Sequence, residues 1–361
     1  MTHTVGIDAR AAAEVPAGRG RYVRELLSAL QDLPAAQDAR FVLYAREPWG
    51  DLDPARFTWR RIGLPDPAWH VVAGVRASRE TDVYLSTNSY LTAWFCRAPT
   101  AIVVYDLVPF VDREHAQDSA ARIERATIRP ALRRAAGLAC ISDATRADLA
   151  RCFPRAAGKA VTIPLAADPA FGRPVATPGH PALDAPYVLA VGTLEPRKNL
   201  ERLIAAWVSL DPAVRGEHVL ALVGPRGWDD APILAAARES GARLLGRVDE
   251  DELHALYAGA TVFAYPSLYE GFGLPPLEAM AAGVPVLTSN RSSLPEVVGD
   301  AALLVDPDDT AAIAAGLQRL LTDPKLTASL RERGPRRAAE FSWERTASET
   351  YALLERLARR S

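Results

Sequence analysis

Along the chain, short apolar runs alternate with stretches whose apolar residues recur every three or four positions. The runs predict strands, the recurrences predict helices, and their alternation predicts parallel sheets built by right-handed crossovers. In the first half, strands are expected at residues 5–9, 41–45, 83–86, 101–105, 138–142 and 161–165. Between the first two, Tyr22, Val23, Leu26, Leu27 and Leu30 form one helical stripe. These elements predict a doubly wound domain over residues 1–168.

From Pro164 to Pro186 the pattern disappears into Pro, Ala and Gly. Repeated Pro favours extended chain, so an interdomain connection is expected, with the linker at 169–186. A second alternation follows, with strands at 187–191, 219–223, 243–245, 261–265, 284–288 and 302–305. Helical patterns lie at 200–210, 232–240, 250–258, 276–282 and 310–321, predicting a second doubly wound domain over 187–340. Residues 341–361 start Phe-Ser-Trp-Glu and carry a helical pattern without a strand, which suits a helix crossing back onto the first domain.

Composition agrees with two soluble domains: 361 residues, 49% hydrophobic and 24% charged. A net charge of −2 gives no global attraction for nucleic acid. Cys96, Cys140 and Cys152 are odd in number and lack metal-ligand spacing, so buried thiols in a reducing compartment are expected. The chain passes straight from its first residues into a strand, and no apolar run approaches a membrane span. A cytoplasmic location is expected, at most peripheral to the inner face of a membrane.

The chemistry concentrates in Tyr265-Pro-Ser-Leu-Tyr-Glu-Gly-Phe-Gly-Leu-Pro-Pro-Leu-Glu278. A strand ends at Tyr265, a glycine-bearing loop runs from Glu270 to Leu274, and a helix starts at the paired prolines, which need no amide hydrogen there. A helix start offers amides and partial positive charge to phosphate or sugar oxygens. Glu270 and Glu278 are eight residues apart, too far to form an adjacent acid–base pair through helical spacing, and would reach different parts of one extended ligand. A carboxylate matches the paired donors of a ribose diol; alternatively, Glu278 only complements a helix N-terminus.

Neither the dinucleotide fingerprint nor a Walker loop is present, because Val23 stands where the former needs its third glycine. Gly18 and Gly20 are turn residues or bring backbone amides near a phosphate. In Gly192-Thr-Leu-Glu-Pro-Arg-Lys-Asn199, between a strand and a helix, Arg197 and Lys198 fall at the carboxyl edge of the second sheet. A guanidinium fork and an ammonium together suit a pyrophosphate. Gly224 and the Glu270 loop also follow strands and point to the same cleft.

At these residues the chain resembles the retaining glycosyltransferases of family 4, over nearly its whole length. The carriers are Val5-Gly-Ile-Asp-Ala-Arg10 with Gly18-Arg-Gly-Arg-Tyr22, Tyr187 to Leu200, Leu222-Val-Gly-Pro225, and the E-x7-E element ending at Glu278. The resemblance implies an α/β GT-B fold, two doubly wound Rossmann-like domains facing across a cleft, with a nucleotide diphosphate sugar on the second domain and the acceptor on the first. It implies that Glu278 holds the ribose and that Glu270 lies by the donor sugar. Amides of Gly271, Phe272, Gly273 and Leu274 would serve sugar and phosphate, with Ser267 beside them. Arg197 and Lys198, flanked by Gly192 and Gly224, would bind the diphosphate, and Gly18 to Gly20 would approach from the other domain. No metal and no cofactor are implied, and a mannosyl group from a GDP-linked donor is preferred. Asp306-Pro-Asp-Asp309 reads better as a helix cap than as a metal run.

Many relatives carry His-Asp where this chain has Tyr105-Asp106, and another frequent His position is Ser86. Asp106 remains a candidate for a sugar or acceptor hydroxyl, or for a cap. Arg122, Arg125, Arg129 and Arg133 share one face if the helix continues through Pro130; the face is solvated or meets anionic lipid or a lipid diphosphate acceptor. A saccharide or lipid-linked saccharide acceptor is expected. Alternatives are a transferase acting on a small soluble acceptor, a GT-B nucleotide-sugar epimerase, and a two-domain sugar-binding protein, which donor turnover separates.

Overall fold

The computed structural model describes residues 3–15, 18–183 and 185–359. Two compact units divide the chain, Met1–Leu165 with Ser342–Ser361, and Ala166–Phe341.

The first unit holds β1 (Thr4–Asp8), β2 (Arg40–Ala45), β3 (Phe57–Arg61), β4 (Val83–Ser86), β5 (Thr100–Val104), β6 (Gly137–Cys140) and β7 (Ala160–Thr162). They pair in parallel in the order β3-β2-β1-β4-β5-β6-β7. Five of the six expected strands overlap the observed ones closely, and the sixth, expected at 161–165, is observed as Ala160–Thr162. The strand β3 was not anticipated. It sits at the sheet edge with only Phe57 buried, so it carries no apolar run for a pattern to detect. Phe57 stacks on Phe41 of β2, ring centroids 4.8 Å apart. The helix Arg19–Asp32 buries the expected stripe of Tyr22, Val23, Leu26, Leu27 and Leu30.

The helix Trp343–Ala358 belongs to this unit. Trp343 lies 6.2 Å from the Tyr22 ring, and Thr346 donates to the Pro164 carbonyl at 2.7 Å. A Cβ on Gly137 would lie 3.0 Å from Leu357 and 3.1 Å from Leu353, so the missing side chain lets the helix seat on β6. Residues 360 and 361 of the expected 341–361 segment lie outside the described residues.

In the second unit, β8 (Tyr187–Val191), β9 (Val219–Val223), β10 (Arg243–Gly246), β11 (Val262–Tyr265), β12 (Val286–Ser289) and β13 (Leu303–Val305) pair in parallel in the order β10-β9-β8-β11-β12-β13. The strand order turns about β8, whose neighbours are β9 and β11. Doubly wound sheets bind ligands outside the carboxyl ends of strands at this switch point.

The stretch expected as a linker over 169–186 is instead part of the second unit in its described residues; Asp184 lies outside them. Phe171 is buried edge-on to Tyr257 and His254, and the Gly179 amide donates to the Ala255 carbonyl at 2.7 Å. One aromatic anchor among Pro, Ala and Gly has no period, which is why the pattern read as linker.

Candidate active site

The two loops leaving β8 and β11 build the site. After β8 the chain makes a tight turn over Pro196–Lys198, and Asn199 follows in the left-handed region at φ 58°. The buried Asn199 amide donates to the carbonyls of Pro266 and Pro307, at 3.0 and 2.7 Å, and so ties the β8 loop to the loops that follow β11 and β13. Beneath this turn Gly224, at φ 148°, lies against Gly192; a Cβ on it would stand 2.0 Å from the Gly192 oxygen. The two glycines are therefore where the β8 and β9 loops pass each other.

Glu270 is the centre of this arrangement. Lys198 Nζ donates to its Oε1 at 2.7 Å, and Arg197 Nη1 pairs with Oε2 at 3.0 Å. Tyr265 OH and Ser267 Oγ lie 2.8 and 2.7 Å from Oε1. Arg197 also pairs with Glu195 at 2.6 Å and donates to the Tyr269 carbonyl at 2.7 Å. Burial alone would push the Glu270 carboxyl up, but Arg197, Lys198 and the hydrogen bonds of Lys198 and Ser267 outweigh it and hold it at about 2. Burial and then Arg197 lower Lys198 from the ordinary lysine value, while Glu270 and Glu195 oppose them. The result is a buried carboxylate bracketed by two cations at the switch point, a preorganised field of the kind that stabilises developing charge.

The loop after Glu270 is fixed from below. Ser292 Oγ accepts from the Glu270 amide at 2.9 Å, and Ser293 Oγ lies 2.9 Å from the Glu270 carbonyl and 2.6 Å from that of Phe272. Gly273 has φ 118° and caps the helix Leu274–Ala281, with Pro275 and Pro276 in its first turn, as the sequence predicts. Phe272 is buried edge-on to Phe341, 5.7 Å away, so the group it can offer a ligand is its backbone. Glu278 is also buried and accepts from Tyr257 OH at 3.1 Å.

The structure thus gathers Arg197, Lys198, Ser267 and Glu270 directly, with Gly192 and Gly224 shaping the turn beside them. Ser267 is fully buried, and its hydroxyl faces Glu270 and the Arg197 carbonyl. Three groups that the sequence reading passed over support the cluster: Tyr265, Glu195 and the Ser292–Ser293 pair. Tyr265 stood in plain view at the strand end, but an aromatic there reads as core.

Gly18, Gly20 and Asp106 belong to the first unit. Gly18, at φ 54°, caps the helix Arg19–Asp32, and Gly20 lies so close to the Val15 carbonyl that a Cβ would stand 1.7 Å from its oxygen. Asp106 Oδ1 accepts from the Val108 amide at 3.2 Å, the capping arrangement. Arg19 lies over the Tyr105 ring at 5.1 Å, and Tyr22 packs edge-on against the same ring. Ser86 is buried and donates to the Ser89 carbonyl. Near Asp106, the helix Asp118–Arg134 presents Glu124, raised to about 7 by burial and then by Asp106, with Arg19 opposing. Glu124 had no signal of its own among the arginines around it.

That helix continues through Pro130. Arg125 donates to the Pro109 carbonyl at 3.0 Å and Arg129 lies over Phe153, and Arg122, Arg129 and Arg133 are exposed. Asp306 and Asp308 pair with Arg291, and Asp309 caps the helix Thr310–Thr322 through the Ala311 and Ala312 amides. Among the described residues no helix is long and apolar enough to cross a membrane.

Two doubly wound parallel sheets, the second with a carboxylate and two cations at its switch point, place the chain in the class of GT-B glycosyltransferases. Residues 178–337 match the family described as glycosyl transferases group 1. O-antigen chain mannosyltransferase B of Escherichia coli is 38% identical over 286 residues, 75% of this chain and 74% of that protein. The serotype-specific mannosyltransferase WbdA of Escherichia coli is 36% identical over 167 residues, 45% of this chain but 20% of its own length. Sucrose-phosphate synthase from Thermosynechococcus elongatus superposes with a TM-score of 0.77 at 23% identity, over 99% of this chain and 100% of that one, and shares the fold. The chain belongs to the group 1 glycosyltransferases, in the company of bacterial mannosyltransferases.

Proposed function

We propose that this glycosyltransferase moves a mannosyl group from a GDP-linked sugar to a saccharide or lipid-linked saccharide acceptor, with retention and without a metal. The observation that carries the reading is the buried Glu270 carboxylate between Arg197 and Lys198. The mannosyl and saccharide assignments draw support from the O-antigen chain mannosyltransferase, similar over three quarters of this chain. A lipid-linked acceptor would be met at a membrane surface, where Arg122 and Arg133 supply charge for peripheral contact.

In this reading the bond between the sugar C1 and the diphosphate oxygen breaks as the sugar becomes oxocarbenium-like. Arg197 and Lys198 oppose the negative charge that accumulates on the departing diphosphate, and Glu270, ionised throughout the physiological range, faces the positive sugar. The acceptor oxygen bonds to C1 on the face that the diphosphate leaves, and its proton passes to a diphosphate oxygen. Glu278 and the amides of Gly271 to Leu274 orient ribose, sugar and phosphate, while Asp106 holds an acceptor hydroxyl.

Thermal unfolding with GDP, UDP, ADP and dTDP in turn, each with and without EDTA, tests the donor side. A diphosphate at about 100 times its dissociation constant adds about 2.7 kcal/mol. Stabilisation by GDP regardless of EDTA is expected; stabilisation by another base alone, or only with metal, overturns that part of the reading.

A further inference from the structure

Tyr265 ends β11, and its ring is buried, stacked at 5.9 Å on Phe263. Thr288 Oγ1 donates to its carbonyl at 2.8 Å, which fixes the backbone as well. Its hydroxyl bonds both Lys198 and Glu270. It accepts from Lys198 Nζ at 2.6 Å and donates to Glu270 Oε1 at 2.8 Å. Lys198 Nζ also lies 5.0 Å from the ring centroid, above the face that attracts cations.

We propose that Tyr265 is a positioning residue for transfer, its phenol setting the distance and direction of the Lys198 ammonium and the Glu270 carboxylate before the donor arrives. The inference rests on the transferase reading, since it gives those two groups their task. A phenol can accept and donate at once, which no other side chain at Glu270 does for the lysine. Ser267 reaches the same carboxylate oxygen but has no bond to Lys198, and Arg197 reaches the other oxygen.

The groups that face Lys198 are Arg197, which disfavours its charged form, and Glu270 and Glu195, which favour it, with the phenol oxygen as a further acceptor. Removal of that acceptor leaves the ammonium less well held, so Lys198 loses its proton at lower pH. A filler with the same ring and no hydroxyl would change this without disturbing the packing on Phe263.

The test compares wild type with Tyr265→Phe in the full chain. Amine labelling of Lys198, followed by peptide mass spectrometry across a pH series, reads its titration without any substrate. A midpoint lower by about half a pH unit or more is expected in Y265F. The variant's kcat with GDP-mannose is expected to fall about 10- to 100-fold, the loss of a hydrogen bond to a charged group, with acceptor KM little changed. Tyr187→Phe is the control, because Tyr187 OH donates to the Leu256 carbonyl at 2.6 Å and has no bond to this cluster. It is expected to lower thermal stability without moving the Lys198 midpoint. An unmoved midpoint in folded Y265F overturns the proposal, and so does a moved midpoint with full kcat. If wild type turns over no nucleotide sugar, the transferase reading fails, and the labelling still decides whether Tyr265 sets Lys198. If Y265F does not fold, labelling of Tyr265→Met decides, because the flexible thioether fills the space without a hydroxyl: a wild-type midpoint in folded Y265M overturns the proposal.

Discussion

Lys198 Nζ stands 2.7 Å from Glu270 Oε1, and both side chains are nine-tenths buried or close to it. A buried pair of this kind is strongly destabilising when only one partner is removed, because the other charge is left uncompensated. The same relationship makes the site a source of fixed electrostatic field and a point of vulnerability.

Glu270→Gln removes the carboxylate and leaves Arg197 and Lys198 facing each other. Turnover is expected to fall by about 100-fold or more, the scale of a lost preorganised charge. The pH dependence of stability gives a second readout. Glu270 has its folded value depressed from 4.5 to about 2, so its contribution is complete above the unfolded value and disappears as the pH falls through the folded one. Chemical denaturation is expected to show wild type losing on the order of 3 kcal/mol more than E270Q between about pH 5 and pH 2. Equal losses in the two proteins would show that Glu270 is not held ionised by the cluster.

Glu278→Gln keeps the shape of the side chain and its contact with Tyr257 OH but removes the charge that the proposed function assigns to the ribose diol. Calorimetric titration with GDP is expected to show affinity about 10- to 100-fold weaker. Unchanged affinity would return Glu278 to the role of a helix-start carboxylate.

Gly224→Ala forces a methyl against the Gly192 oxygen at a left-handed φ. The loops of β8 and β9 must part, and a loss of about 2 kcal/mol or more is expected in urea unfolding, with donor binding lost alongside. Full stability would mean that the two loops do not cross as described.

Asp106→Ala is expected to reduce turnover far more than nucleotide affinity, because Asp106 lies in the other unit from Glu278 and Lys198. Steady-state kinetics beside GDP titration separates the two effects, and unchanged turnover removes Asp106 from the acceptor site.

The interior of both sheets was readable because central parallel strands are continuous apolar runs, as at Val219–Val223. The edge strand β3 was not, since only Phe57 faces inward, and the packing of Phe171 was not, since a single aromatic has no period. Within the site, the spacing from Glu270 to Glu278 and the Arg197-Lys198 pair stood out as charges in apolar surroundings. Tyr265 and Glu124 did not. A tyrosine at a strand end looks like any core aromatic, and Glu124 takes its character from burial and then from Asp106, with Arg19 opposing, groups that reach it from other elements.

The proposed activity is retaining transfer of mannose from a GDP donor. The most direct measurement is the anomeric configuration of the product formed from GDP-α-mannose and a mannose-terminated oligosaccharide in EDTA, read by the one-bond C1–H1 coupling in NMR. An α-linked mannosyl product with release of GDP is the expected result. A β-linked product, or release of GDP with free mannose and no glycoside, would contradict it.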